Sequence, residues 1–214
     1  MEQKITALRQ QKKNRQRVSV YLDGDYAFGL QAMIAASLRV GQTLSPEQIH
    51  ELQRSDLAEM GYERALGFLS YRPRSEAEVV AYLQRRKVPP EAIRAATERL
   101  LRAGLLDDEA FSKYWVENRE AFRPRGSRLL RYELRRKGVH DTAIDQAIED
   151  VDETESAYRA AQDRARRYAR LDRATFRRRL VGFLQRRGFD YDAVKEAVER
   201  LWQEAQLATK EEIS

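Results

Sequence analysis

The residue types that most often perform catalysis are scarce in this chain, and their spacing favours capping over chemistry. The 214 residues include no cysteine and only two histidines, His50 and His140, far apart in sequence. Disulfides, thiolate metal sites and a histidine-based metal site are therefore not expected. The pair Asp107-Asp108 could suggest a metal or acid–base site, but adjacent side chains point in different directions. We expect Asp107 to cap a helix that begins at Asp108, and we expect no catalytic residue, metal or cofactor.

Basic residues are instead the abundant chemical feature, and they are concentrated. Residues 1–20 carry six Lys and Arg against one acid, residues 119–137 eight against two, and residues 164–187 ten against one. Residues 138–158 carry seven acids and no Lys or Arg. This clustering favours a polyanion or an acidic protein groove as the partner. Ordinary solvated helix faces are the alternative.

A repeat of about fifty residues organises the chain after residue 61. Three leucines align without gaps at spacings of 51 and 50 residues: Leu83, Leu134 and Leu184. A basic pair follows each of them: Arg85-Arg86, Arg136-Lys137 and Arg186-Arg187. This period, with apolar positions at helical spacing, predicts a mainly α fold in which tandem three-helix repeats form an elongated, curved array.

The predicted boundaries are an N-terminal β-hairpin and helix segment at 1–61, repeats at 62–107, 108–157 and 158–208, and a tail at 209–214. Within the middle repeat the predicted helices are 108–122, 126–137 and 141–155.

Local signals place several turns and helix ends. Asp23-Gly24 between alternating apolar residues predicts a tight hairpin turn, and the apolar segment 31–38 is expected to support it. Ser45 with Gln48 forms a predicted capping box, with Pro46 as the first helical residue. The remaining predicted caps are left-handed glycines and N-terminal aspartates: Gly104, Gly138, Gly188, Asp141 and Asp190.

One arginine stripe stands out in the middle repeat. Arg128, Arg131 and Arg135 are spaced i, i+3, i+7, which places them on one side of a helix, opposite Leu130 and Leu134. The equivalent positions of the other repeats are mostly uncharged, so helix stability does not require the stripe. A binding face is the favoured interpretation.

The loop before this helix adds Arg123 and Arg125. Gly126 at the helix start is predicted to leave an exposed helix N-terminus suited to an anion, and a tight interhelical turn is the compatible alternative. The basic pairs that end the middle helices could instead stabilise those helices by about 0.3–1 kcal/mol, through their interaction with the helix dipole. The candidate partner-binding residues all lie in or just before the middle helix of a repeat: Arg72, Arg74, Arg123, Arg125, Arg128, Arg131, Arg135, Arg136, Lys137, Arg177, Arg178 and Arg179.

The stretch from Leu105 to Val139, "LLDDEAF…RPRGSRLLRYELRRKGV", resembles the signature of the RecX family, the bacterial regulators of the RecA recombinase. The matching positions are Leu106, Asp107, Asp108, Phe111, Arg119, Gly126, Glu133, Leu134, Lys137, Gly138 and Val139. The resemblance covers about residues 62–208, and the N-terminal hairpin is similar to that of longer family members.

This resemblance implies a non-enzymatic binding protein that docks in the groove of the RecA filament on single-stranded DNA. It would inhibit ATP hydrolysis, strand exchange and filament extension, and so act in recombination, DNA repair and the SOS response. Single-stranded and double-stranded DNA are further expected partners. The absence of a long apolar run predicts a cytoplasmic protein with no membrane partner. A monomer is also expected.

Two other readings of the residues stay open. A direct nucleic-acid binder would place the arginine stripes on phosphates and would bind DNA without the recombinase, with a steep dependence on salt. A neutral helical scaffold would have no salt-sensitive partner.

Overall fold

The computed structural model describes the backbone of residues 1–211 and the side chains of residues 1–207, and residues 212–214 lie outside this description. The tail predicted at 209–214 therefore lies partly beyond the described residues. The described chain forms two compact units. The first comprises Met1–Arg74 and Glu78–Leu106, and the second comprises Ser75–Ala77 and the residues from Asp107 onward.

The first unit begins with an antiparallel sheet in the order β3-β2-β1-β4. Its strands are β1 (Gln3–Gln10), β2 (Arg17–Leu22), β3 (Asp25–Gln31) and β4 (Thr43–Leu44). The predicted hairpin is β2–β3, and its turn is confirmed, since Asp23 and Gly24 both have positive φ, 50° and 100°. The sequence predicted only these two strands, and the structure adds β1, which pairs along β2 and makes a larger sheet.

One face of this sheet is buried under the segment that follows it. Ile5 and Leu30 are fully buried, and Ala35 of α1 (Ala32–Ala35) and Leu38 join the same apolar cluster. The predicted support from segment 31–38 is thus confirmed. The helix α2 (Pro46–Leu69) follows, and its predicted capping box is present in both directions between Ser45 and Gln48.

A buried carboxylate joins the sheet to α2. Asp56 is 6% exposed, and its two oxygens accept from the backbone N–H of Gln31 at 2.6 Å and from Nη2 of Arg17 at 2.9 Å. Arg17 also donates to the carbonyl of Gly29 at 2.9 Å. These bonds anchor the end of β3 on the helix.

We expect Asp56→Asn to lower the free energy of unfolding of the first unit by about 1–3 kcal/mol, because it weakens a charge-assisted bond inside the protein. Chemical denaturation followed by circular dichroism measures this change. Glu51→Gln is the matched control, since Glu51 lies on the same helix and pairs with the exposed Arg54. Equal effects of the two substitutions would contradict the anchoring role.

The first repeat is completed by α3 (Glu76–Arg85) and α4 (Pro90–Arg102). The helix α2 serves as its first helix and runs through the boundary predicted between residues 61 and 62. Leu83 and Leu100 are fully buried in its core.

The second repeat consists of α5 (Asp108–Phe122), α6 (Ser127–Arg136) and α7 (Asp141–Ile148). The first two helices match their predictions to within a residue. The third was predicted to run from 141 to 155, and this was wrong. The chain leaves α7 after Ile148, and Asp152 caps a new helix by accepting from the N–H of Glu155 at 2.9 Å.

The third repeat consists of α8 (Glu153–Tyr168), α9 (Arg173–Arg186) and α10 (Tyr191–Glu211). The helix α8 runs through the boundary predicted between residues 157 and 158. Asp190 caps α10 as predicted, accepting from the N–H of Ala193 at 2.7 Å. The fully buried Phe176, Leu180 and Leu184 of α9 lie in the core of this repeat.

The turn after each middle helix has the same backbone conformation. Gly138 and Gly188 have φ of 79° and 86°, as predicted, and Lys87 takes the equivalent position of the first repeat with φ of 58°. Gly104 also has the predicted positive φ, 65°. The mainly α class, with three-helix repeats and a small N-terminal strand segment, is confirmed.

Candidate cationic interface

The helix α6 has two opposite faces. Leu130 and Leu134 are fully buried among the side chains of the second repeat, as predicted. Arg128 and Arg135 are exposed on the other face, and Arg131 is partly exposed there. The helix therefore holds its three arginines at the surface by burying its leucines.

Two of these arginines form ion pairs with carboxylates of α7. Arg131 pairs with Asp145, and Nε of Arg135 donates to Asp141 at 2.7 Å. The hydrogen bond from Arg135 lowers the pKa of Asp141, and the same bond raises the pKa of Arg135. Both pairs are open to water, so screening leaves them weak and easily exchanged. Asp141 was predicted to cap α7, and this was wrong, because His140 occupies the cap position without a side-chain bond.

Glu133 forms ion pairs with two further arginines inside the second repeat. Its side chain is 12% exposed and accepts from Nε of Arg119 and from Nε1 of Trp115, both at 2.9 Å. Arg125 pairs with its other oxygen. Burial, with repulsion from Arg119 and other nearby arginines, lowers the pKa of Arg125. Arg125 thus connects the α5–α6 loop to α6 through a mostly buried ion pair and is less available to a partner than the arginines of the stripe.

Gly126 does not offer the exposed helix N-terminus that the sequence suggested. It is buried, and its N–H donates to the carbonyl of Arg187 at 3.0 Å. A Cβ at this position would lie 2.2 Å from the backbone nitrogen of Phe189. The anion-binding interpretation was therefore wrong, and the glycine lets the second and third repeats approach closely.

The same junction holds other polar groups. Arg128 Nη2 donates to the carbonyl of Gln185 at 3.1 Å, and Ser127 donates to a carboxylate oxygen of Glu153 at 2.6 Å. The other oxygen of Glu153 accepts from the N–H of Asp190 at 2.8 Å. One arginine of the α6 stripe is thus partly engaged in repeat packing.

Three other residues of the family motif, Asp107, Asp108 and Phe111, stabilise the fold. Asp107 caps α5 as predicted, accepting from the N–H groups of Glu109 and Ala110 at 2.9 Å. Asp108 accepts from the N–H of Glu76 at 2.9 Å. Phe111 is 2% exposed in the core of the second repeat.

The other candidate cations in and after α6 contact aromatic rings. Arg136 is exposed, with its guanidinium carbon 5.7 Å from the ring centre of Tyr132. Lys137 Nζ lies 4.2 Å from the ring centre of Trp115.

In the first unit, Arg72 pairs with Glu78 at 2.9 Å. Arg74 lies 4.0 Å over Phe68, whose ring stacks on that of Tyr82 at 4.1 Å. Arg86 lies 5.2 Å from the ring centre of Tyr82, so each of the two stacked rings has a cation over it. This stack was not foreseen, because its members come from separate helices.

In the third repeat, Arg177, Arg178 and Arg179 are all exposed on α9. Sequence analysis did not name Arg164 and Arg187 as candidates. Both guanidinium groups lie over the ring of Phe183, at 4.3 and 4.7 Å from its centre. The available signal was the spacing of Phe183 and Arg187, one helical turn apart.

The comparisons with known proteins agree with this architecture. Family models match the RecX N-terminal domain at residues 3–45 and the first, second and third RecX three-helix domains at 62–100, 107–148 and 150–198. A regulatory protein RecX of Bacillus subtilis is 32% identical over 213 residues, which cover 97% of this chain and 81% of the relative. The chain belongs to the RecX family. A Bacillus pumilus member is 30% identical with the same coverage.

Solved RecX structures share the fold. One crystal structure of regulatory protein RecX matches with a TM-score of 0.73 and 26% identity, covering 94% of this chain and 99% of that one. RecX from Lactobacillus salivarius matches with a TM-score of 0.63 and 23% identity, covering 69% and 97%, and this likeness concerns the fold alone. RecX proteins are named as regulatory proteins, so the family assigns this chain a regulatory role.

Two features of the described residues bear on other kinds of site. Among them, no helix is long and apolar enough to cross a membrane. The same residues contain no group of three or more His, Cys, Asp or Glu side chains placed to hold a metal ion.

Proposed function

We propose that this chain is a non-enzymatic regulator that binds the filament formed by a RecA recombinase on single-stranded DNA. In this proposal it acts as a monomer in the cytoplasm, where it slows ATP hydrolysis, strand exchange and filament extension. Membership of the RecX family supports a regulatory role, and the outward arginine face of α6 supports an anionic partner.

The observation that carries the proposal is that α6 is fixed by buried leucines and carries exposed arginines whose ion pairs can be exchanged for those of a partner. Leu130 and Leu134 hold the helix in the core, while Arg131 and Arg135 pair with water-exposed carboxylates. An acidic groove can replace those carboxylates at little cost, because exposed pairs are weak. Contacts with neighbouring recombinase subunits would then favour one relative arrangement, whereas ATP turnover requires it to change.

Reversal of the stripe tests the proposal. We expect R128E/R131E/R135E to raise the concentration needed for half-inhibition of recombinase ATPase at least about tenfold, because attraction to the groove becomes repulsion. The assay uses the recombinase of the same organism with single-stranded DNA and ATP.

The matched control reverses three exposed arginines of the first unit, R54E/R94E/R102E, which changes the net charge equally. Circular dichroism checks that both variants keep their helical content. Wild-type inhibition by the α6 variant would rule out the stripe as the contact.

Direct nucleic-acid binding is the second candidate function. It is favoured by arginines of the third repeat that contact aromatic rings rather than carboxylates. It predicts DNA binding without any recombinase, weakened steeply by salt.

A further inference from the structure

Cations and aromatic rings alternate along the contact between α8 and α9. Arg164 of α8 lies 4.3 Å over the ring of Phe183 on α9. One helical turn further along, the order is reversed, and Arg179 of α9 lies 5.2 Å from the ring centre of Tyr168 on α8. Since the helices are antiparallel, these two pairs form successive levels of one row.

Two more arginines extend the row at its other end. Arg187 lies 4.7 Å over the same Phe183 ring, and its Nη1 donates to the carbonyl of Pro124 at 3.1 Å. Arg123 lies in the adjacent α5–α6 loop and is exposed. Burial, followed by repulsion from Arg123 and Arg164, lowers the pKa of Arg187. We call these four residues the arginine seam: Arg123, Arg164, Arg179 and Arg187.

The seam differs from the α6 stripe in what holds its guanidinium groups. Within the described part of the chain, no ion pair to a carboxylate joins any of its four arginines, whereas Arg131 and Arg135 of α6 each have one. A carboxylate cancels the charge it orients. An aromatic ring orients a guanidinium through its quadrupole and leaves the positive charge in place.

An uncompensated row of like charges is costly to the folded state, because its members repel one another. Such a feature, which opposes stability, is typical of a functional surface. The seam also has length. Arg187, the residue after α9, follows Arg179 by eight positions, which is about 12 Å along the helix axis, so the seam is longer than one phosphate or carboxylate group.

We propose that the arginine seam binds the phosphodiester backbone of nucleic acid. This inference rests on the proposed function, in which the seam holds the DNA of the filament while α6 contacts the recombinase. A repeating anion suits a row of charges better than a single ligand does.

The rings of the seam are not available to bases. Phe183 is 9% exposed and Tyr168 is partly buried, each beneath a guanidinium group. Base stacking, which single-strand binders commonly use, therefore contributes nothing here. We therefore expect the site to recognise only the charge of the phosphates. It should bind without sequence preference and accept duplex as well as single-stranded DNA.

The test measures DNA binding by the full chain without recombinase. Fluorescence anisotropy of labelled oligo-dT, and of a mixed-sequence duplex, is followed across a salt series. We expect the wild-type slope of log affinity against log salt to reflect about four phosphate contacts on single strands. The variant R123Q/R164Q/R179Q should lose about 2 units of this slope, at about 0.7 per contact. Arg187 is left intact because it supports the repeat junction.

Two controls separate charge from folding. R123K/R164K/R179K keeps the charge and should keep the slope, and R54Q/R94Q/R102Q removes three exposed charges elsewhere and should also keep it. An unchanged slope in the seam glutamine variant, or an equal loss in the remote variant, would overturn the inference.

The same variants separate this inference from the proposed function. A seam variant that binds DNA normally but loses recombinase inhibition would reassign the seam to a protein partner, against our inference. Loss of DNA binding in the seam variant, with inhibition insensitive to R128E/R131E/R135E, would support the seam and contradict the proposed α6 contact.

Discussion

Glu133→Ala is expected to lower the free energy of unfolding of the second unit by about 3–5 kcal/mol. Removal of this carboxylate leaves Arg119 and Arg125, each 23% exposed, without their common partner, and it leaves the indole N–H of Trp115 unpaired. Breaking a largely buried ion pair from one side costs this much because a desolvated charge is left behind.

Urea denaturation followed by tryptophan fluorescence measures the loss. Trp115 and Trp202 both lie in the second unit, and they are the only tryptophans of the chain, so the signal reports on that unit. Asp145→Ala is the matched control, because it removes the carboxylate of a water-exposed pair and should change stability little. Similar midpoints for both variants would show that Glu133 is not the internal anchor.

Gly126→Ala is expected to lower the same free energy by about 3 kcal/mol, because the added Cβ would overlap backbone atoms of Gly188 and Phe189 at 2.2–2.3 Å. Backbone atoms cannot move aside as a side chain can, so the second and third repeats must separate locally. The φ of Gly126 is −69°, so the effect comes from close packing and not from backbone strain.

The control is Gly182→Ala in the interior of α9, where the new Cβ would meet only the flexible end of Arg186, at 3.3 Å. Alanine in a helix interior is more stable than glycine by about 0.5–1 kcal/mol, so this variant should be at least as stable as the wild type. If Gly126→Ala behaved like Gly182→Ala, the close junction would be refuted.

The comparison of α6 with the seam shows that the number of arginines is a poor guide to a cationic surface. The α6 stripe is the denser pattern in sequence, yet Arg131 and Arg135 have carboxylate partners and Arg128 bonds to a backbone carbonyl. Arg164 belongs to no stripe, and Arg179 is one of three consecutive arginines, yet aromatic rings hold both with their charge uncancelled. The group that each guanidinium contacts decides how much positive potential remains at the protein surface.

Features encoded within a few residues could be predicted from the sequence. The turn at Asp23-Gly24, the capping box at Ser45, the cap at Asp107 and the left-handed Gly188 depend on backbone geometry and hydrogen bonds between near neighbours. The repeat itself was visible because each unit must bury leucines at the same helical positions.

The end of α7 was missed although its signal is also local. Asp152 followed by Glu155 resembles a capping pair, and Asp152 does begin a new helix. The continuous apolar spacing across residues 144–151 concealed the break. Strand β1 was missed for a different reason, because it is stabilised by pairing with strands on both sides and has little preference of its own.

The sequence by itself determined the repeat, its caps and the buried faces of its helices, since these follow from local geometry and from apolar periodicity. Only the tertiary structure decided which cations are neutralised. Most of these ion pairs join different helices, as Arg119 joins Glu133 across 14 residues and Arg200 joins Glu155 across 45. Such contacts depend on how the helices pack, and they leave no periodic pattern in the sequence.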